Sequence, residues 1–170
     1  WMEAIHTFPK PVIAAVEGAA AGAGFSLVLM CDLVVAARDS IFVMAYSSIA
    51  LSPDGGGSWN LLQALPRQLA AELMLLGERV NAERLHELGC VNRLVESGTA
   101  LTQALDLAER INARAPNAMQ SIKELMNDAP TQSLNVHLAQ ERDYFVNNLH
   151  HANSGIGISA FLNKEKPTYK

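Results

Sequence analysis

The stretch Lys10–Asp32, KPVIAAVEGAAAGAGFSLVLMCD, constrains the fold of this chain more than any other. Pro11–Val16 is a short apolar run rich in Val and Ile, the composition of a strand buried on both faces. From Gly18 to Gly24 no side chain is larger than a methyl group, and Phe25–Met30 is bulky again before Cys31-Asp32. The pattern predicts a strand, a turn of tiny residues and a helix. Such a crossing leaves room for a ligand to lie against the backbone. The unpaired N–H groups of the helix's first turn, together with the helix dipole, favour negative charge there.

Three readings of the turn compete: a nucleotide-phosphate loop, a structural turn and an oxyanion hole. A dinucleotide fingerprint needs G-x-G-x-x-G, but the glycines fall at 18, 22 and 24, and Asp39 lies in a turn rather than at the end of a second strand. A P-loop fails because no Lys-Ser/Thr follows the glycines. A purely structural turn, in which small residues let a helix pack close to a sheet, stands beside an oxyanion hole. In the latter, a backbone N–H near Ala23 stabilises a developing negative oxygen.

Downstream, Leu33–Ala37 reads as a strand, Arg38-Asp39-Ser40 as a turn, and Ile41–Ala45 as a short strand. Tyr46–Gly57 reads as an irregular loop. Ser58–Leu65 and Arg67–Leu76 read as helices broken at Pro66, Asn81–Leu88 as a capped helix ended by Gly89, and Val91–Val95 as a last strand. From Thr99 onward everything reads as helix, over roughly 99–114, 116–128, 131–151 and 154–164. Strands followed only by helices imply an α/β core with a helical tail. The stripe Leu134, Leu138, Tyr144, Phe145, Leu149 fits either an interface or a core-facing side.

Composition narrows the function classes. With 170 residues, 49% of them hydrophobic, the chain can bury one core. A net charge of −4 argues against nucleic acid or an anionic membrane as a partner. No apolar run reaches transmembrane length and no signal peptide is visible in the sequence. Cys31 and Cys90 sit in apolar contexts, as buried thiols of a reducing, cytoplasmic compartment do. His150 and His151 are adjacent and His137 is distant, so no metal site is expected. Without G-x-S-x-G, Ser26 is not an elbow nucleophile.

Several motifs belong together: K-P-V-I-A-A-V-x-G at 10–18, G-A-G at 22–24, C-D at 31–32, Phe42, and Pro53 with Gly56-Gly57. A-x-E-L-M-L-L-G at 70–77, H-E-L-G-x-V-N-R-L-V at 86–95 and G-I-S-A-F-L-N-K-E-K-P at 157–167 complete the set. In this combination the sequence closely resembles the crotonase (enoyl-CoA hydratase/isomerase) superfamily over essentially its whole length. The resemblance implies a ββα spiral core whose C-terminal part is residues 1–98. It also implies a helical region, 99–170, that mediates assembly into a homotrimer or a dimer of trimers. The family's domain is longer, so the chain, which begins Trp1-Met2 at an amphipathic helix end, is expected to be its C-terminal two-thirds. This piece alone would then expose a sheet edge, and the second oxyanion donor would belong to the preceding segment.

By position, the resemblance makes Ala23 the donor that holds the thioester oxygen of an acyl-CoA, flanked by Gly22 and Gly24. Coenzyme A enters as part of the substrate and no separate cofactor is implied. Hydratases of the family use two glutamates; their positions fall here at Ser26 and Tyr46, neither a carboxylate. Plain two-glutamate hydration is therefore not expected. Asp54, in Ser52-Pro53-Asp54-Gly55-Gly56-Gly57, reads from the residues alone as a helix cap or turn former. The resemblance gives it another role, because members lacking both glutamates place an Asp in this loop facing the acyl group. There it acts as a proton shuttle in isomerases of ring-containing acyl-CoAs, or as a nucleophile in a dehalogenase.

The Ser-Pro-Asp-Gly-Gly-Gly-Ser-Trp and Leu-Pro-Arg-Gln-Leu-Ala segments look most like members of aromatic-acid or phenylacetate-type degradation, including oxepin-CoA hydrolases and ring-opening isomerases. Tyr46 could hydrogen-bond substrate, and Phe25 and Trp59 could line an acyl pocket; each is more often ordinary core. Arg67 suits packing or a CoA phosphate. The resemblance places Phe161 and Lys164 near the CoA nucleotide, where a solvated helix face is the plainer reading for Lys164. The expectation is an isomerase working through Ala23 and Asp54. A hydratase or thioester hydrolase, and a non-catalytic CoA-binding scaffold, are the alternatives.

Overall fold

A computed structural model describes residues 2–169, so Trp1 of the expected N-terminal helix end lies outside the described residues. The described chain divides into two compact units, one formed by residues up to His6 and Val12–Leu107, the other by Thr7–Pro11 and the residues from Ala108.

The first unit opens with the short helix α1 (Met2–His6), followed by β1 (Ile13–Val16), β2 (Ala19–Ala21) and α2 (Ala23–Met30). Next come β3 (Leu33–Ala37), β4 (Ile41–Val43), α3 (Gly57–Ala64), α4 (Arg67–Leu76), β5 (Arg79–Asn81), α5 (Ala82–Glu87) and β6 (Arg93–Val95). Two small sheets result. One has the order β1-β3-β6, all parallel, with Ile13 opposite Leu33 and Val35 opposite Arg93. The other has the order β2-β4-β5, with β2 parallel and β5 antiparallel to β4. The α/β core followed by helices is the expected fold class.

Side chains lock the strand order. Asp32 Oδ2 accepts from the Val12 N–H at 2.7 Å while the Asp32 N–H donates to the Val12 carbonyl, which ties the approach to β1 to the start of β3. Asn92 Oδ1 accepts from the Val34 N–H at 2.7 Å. Glu17, just after β1, accepts from the Gly98 and Ala100 N–H groups at 3.0 and 2.8 Å. It thereby caps α6 (Ala100–Asn112) across 83 residues of sequence. The core is filled by Phe25, Phe42, Met44, Leu61 and Leu85, and the two phenyl rings meet tilted at 5.2 Å.

Two strands lie where none was expected. Ala19–Ala21, read as part of the turn, pairs with β4, because a strand carried by its partner's ladder needs no β-branched side chains of its own. Arg79–Asn81 is likewise only three residues long and too polar to signal a strand. The strand expected over Ile41–Ala45 stops at Val43, and Tyr46–Gly57 contains a 3₁₀ turn at Ser47–Ile49. Asn81 caps α5 as expected, its side chain accepting from the Arg84 N–H at 2.8 Å.

The second unit takes in the end of α6, then α7 (Pro116–Asp128), α8 (Leu134–Leu149) and α9 (Ala152–Asn163). Buried Asn153 donates to Asn117, Asn117 to Asn148, and Asn148 to Ser121, so α7, α8 and α9 share one amide network. Lys123, also buried, donates to the Lys10 carbonyl at 3.2 Å. Leu134, Leu138, Phe145 and Leu149 of the apolar stripe are exposed, so the core-facing reading does not hold for them. Tyr144, the polar member, is half-buried and donates to Glu124. Among the described residues no helix is long and apolar enough to cross a membrane, and no group of three His, Cys, Asp or Glu could hold a metal ion.

Candidate active site

The site is built at the start of α2. Gly22 precedes the helix with φ of +52°, a left-handed conformation that costs a side-chain-bearing residue energy and lets the chain leave β2 and enter the helix at once. Its N–H donates to the Val43 carbonyl and its carbonyl accepts from the Ser26 N–H. The amides of Ala23, Gly24 and Phe25 follow as the first three of the helix, with no backbone acceptor among the described residues. Ala23 itself is exposed.

Beneath this turn lies a polar line of three side chains. Ser26, on α2, is fully buried. Its Oγ is 3.2 Å from the Tyr46 hydroxyl and 3.3 Å from the Gly22 carbonyl. Tyr46, buried after β4, donates to Asp54 Oδ1 at 2.6 Å. A side chain placed on Gly22 would touch the Tyr46 ring at 3.7 Å, so the tyrosine lies against the residue that precedes Ala23. Asp54 is exposed, and its second oxygen accepts from no described residue. One carboxylate oxygen thus accepts from the phenol, and the other has no hydrogen-bond partner among the described residues.

The electrostatics keep Tyr46 a donor. Burial first, and then the hydrogen bond to the Asp54 carboxylate, raise its phenol above the ordinary value of 10.0, while Ser26 and the Asp54 backbone oppose this in part. The phenol is therefore neutral at physiological pH, with its one proton committed to the carboxylate. In the Ser26–Tyr46 contact the serine must then be the donor.

Asp54 is not a side-chain cap of α3. The residue before that helix is Gly56, which makes no side-chain cap bond, and Asp54 contributes only its backbone carbonyl, accepting from the Gly57 N–H at 3.0 Å. α3 approaches α2 closely at Gly57, where a methyl group would collide with Ser26 Oγ and sit 3.2 Å from Met44 Cε.

The other expected site residues divide sharply. Phe25 has 0% exposure and packs on Phe42, so its side chain is core and lines no acyl pocket. Gly24 is open, with nothing within 4 Å of where a Cβ would stand. Trp59 is 46% exposed and borders a shallow groove of about 260 Å³ with Glu3, His6, Met30, Gly56 and Asn60. Phe161 is 82% exposed on α9 and Lys164 ends that helix at φ of +57°; both belong to the second unit. Arg67 is exposed in the first turn of α4. The line from Ser26 through Tyr46 to Asp54 was missed as a unit, although a Ser, a Tyr and an Asp at separations of 20 and 8 residues carry no signal without the fold.

Fold and site together define an α/β protein of the crotonase type, with helix-start amides beside a loop carboxylate. The chain belongs to the enoyl-CoA hydratase/isomerase family, whose profile matches residues 1–170. It is 42% identical over 161 residues to the 1,2-epoxyphenylacetyl-CoA isomerase of Escherichia coli K12, covering 95% of this chain and 62% of that protein. With the 2,3-dehydroadipyl-CoA hydratase of the same organism it shares 35% identity over 166 residues, 98% of this chain and 65% of that protein. The crystal structure of an enoyl-CoA hydratase from Polaromonas sp. JS666 superposes with a TM-score of 0.98 at 61% identity, covering all of this chain and 66% of that one. The chain thus spans slightly less than two-thirds of the length of each of these relatives.

Proposed function

We propose that the protein isomerises an enoyl- or ring-containing acyl-CoA through a thioester enolate, with Asp54 as the proton shuttle and the Ala23 N–H as an oxyanion donor. The observation that carries this reading is the state of Asp54: one oxygen pinned by the Tyr46 phenol, the other free, beside the turn that presents Ala23. In the reaction Asp54 takes a proton from the α-carbon and the electron pair moves into the C–C–O system of the thioester. The oxygen gains negative charge against the Ala23 amide, and the proton returns to the γ-carbon. A backbone donor placed this way lowers the barrier by about 3–4 kcal/mol. One carboxylate is enough because the same group removes and returns the proton. Isomerisation of this kind uses no cofactor beyond the CoA of the substrate.

Hydroxyls at positions 26 and 46 disfavour two-glutamate hydration, and the 42% identity to a protein named as an epoxyphenylacetyl-CoA isomerase supports a ring-containing substrate. The second relative is named as a hydratase, so a hydratase or hydrolase in which Asp54 orients water is the alternative. A scaffolding role would not need a carboxylate fixed in this way. We further place the protein in the cytoplasm as a homotrimer or dimer of trimers, with the exposed apolar side of α8 as the assembly surface.

The test uses the full-length protein in D₂O with 3-hexenoyl-CoA and phenylacetyl-CoA. Deuterium entering the acyl chain and double-bond migration are followed by mass spectrometry. Wild type should exchange and Asp54→Asn should lose at least about 100-fold, the usual scale for a positioned general base. Equal rates in the two proteins would remove Asp54 from the mechanism.

A further inference from the structure

Tyr46 is buried, and its hydroxyl is engaged on both sides, by Asp54 at 2.6 Å and by Ser26 at 3.2 Å. It therefore has no proton left for a substrate. A carboxylate only accepts, the phenol has one proton, and the serine must supply the remaining hydrogen to the phenol or share it with the Gly22 carbonyl. The Gly22 carbonyl belongs to the same turn that presents Ala23. The line thus joins the oxyanion turn to the carboxylate through two successive buried side chains, Ser26 and Tyr46.

We infer that Tyr46 is a positioning residue for Asp54, with Ser26 as its support, so that the two hydroxyls set the orientation of the one carboxylate instead of acting on substrate themselves. This inference rests on the reading of Asp54 as the base. The titratable groups near the line are few. α2, β4 and α3 contribute no acid or base within their own spans, and α1 brings Glu3 and His6 to the groove beside Gly56. The phenol's own ionisation lies above its ordinary value, so Tyr46 remains a donor over the working range of pH.

Without the phenol, Asp54 would be an exposed loop carboxylate free to turn, and a misdirected base reduces turnover more than binding. In the full-length protein Tyr46→Phe should lower kcat for phenylacetyl-CoA α-exchange about tenfold, with KM changed less than about twofold. The melting temperature should fall only a few degrees. A structural role alone would move stability and KM together. A second readout needs no activity: phenolate absorbance on alkaline titration, with Tyr46→Phe as the difference reference. In Asp54→Asn the Tyr46 phenol should ionise at lower pH than in wild type, because the carboxylate that holds its proton is gone.

Unchanged kcat in Tyr46→Phe, or a phenol that titrates identically in wild type and in Asp54→Asn, would overturn the inference. Retained exchange in Asp54→Asn would instead overturn the base, while the titration would still report whether the hydrogen bond exists. If Tyr46→Phe fails to fold, the comparison of wild type with Asp54→Asn by absorbance decides the matter.

Discussion

Gly57→Ala should destabilise the protein although alanine is the better helix former. Gly57 does not have a positive φ, so no backbone strain enters, and at a helix position the exchange alone would gain up to about 1 kcal/mol. Against that, the new methyl group would collide with Ser26 Oγ and lie 3.2 and 3.3 Å from Met44 Cε and Ser26 Cβ. Ser26 is fully buried and hydrogen-bonded, so its hydroxyl can move aside only by giving up Tyr46 and Gly22. Overpacking costs about 1–3 kcal/mol and a stranded buried hydroxyl about 1–3 kcal/mol. The net expectation is a loss of about 1–6 kcal/mol. Urea unfolding of the full-length protein measures it. Gly24→Ala is the control, since nothing lies within 4 Å of its would-be Cβ, and it should be neutral or slightly stabilising. The Gly57→Ala, Ser26→Ala pair should recover part of the loss through a positive coupling, as neighbours in contact do. A Gly57→Ala protein as stable as wild type, or a loss that Ser26→Ala leaves untouched, would refute the close approach of α3 to α2 on which this reasoning depends.

Other outcomes follow from the same contacts. Glu17→Ala removes the acceptor for the Gly98 and Ala100 amides and should cost about 1–2 kcal/mol in denaturant unfolding, with amide exchange fastest at the start of α6. The alkaline limb of the stability profile should reflect Tyr46 and Tyr144, whose folded values are both raised, the first chiefly by burial and the second chiefly by Glu124. The folded state then holds the phenol protons more tightly than the unfolded state. That stability is complete below the unfolded value near 10 and is lost as pH rises through the raised folded values. Tyr46→Phe should flatten this alkaline loss in a pH series of melting curves, and an unchanged slope would count against the burial of that phenol.

Much of the fold was legible in local pattern. The apolar run before Val16, the tiny residues from Gly18 to Gly24 and the bulky residues after them indicated strand, turn and helix, because each follows from side-chain size and periodicity within a short stretch of chain. The cap at Asn81 and the break at Pro66 were readable for the same reason. β2 and β5 were not, since Ala19–Ala21 and Arg79–Asn81 become strands only through the ladder offered by β4. The position of Ala23 at a helix start was likewise a local matter, and the resemblance singled out Asp54. What local pattern could not contain was the condition of those residues. Phe25, on α2, is core rather than pocket because Phe42 arrives from β4 to cover it. Asp54 is held rather than loose because Tyr46 reaches it across eight residues while Ser26, twenty residues earlier in the chain than the tyrosine, supports it. Sequence alone thus determined which backbone amides and which carboxylate are present. Only tertiary structure decided which of them meet, because hydrogen bonds between distant side chains depend on angstrom-scale placement that no local propensity encodes.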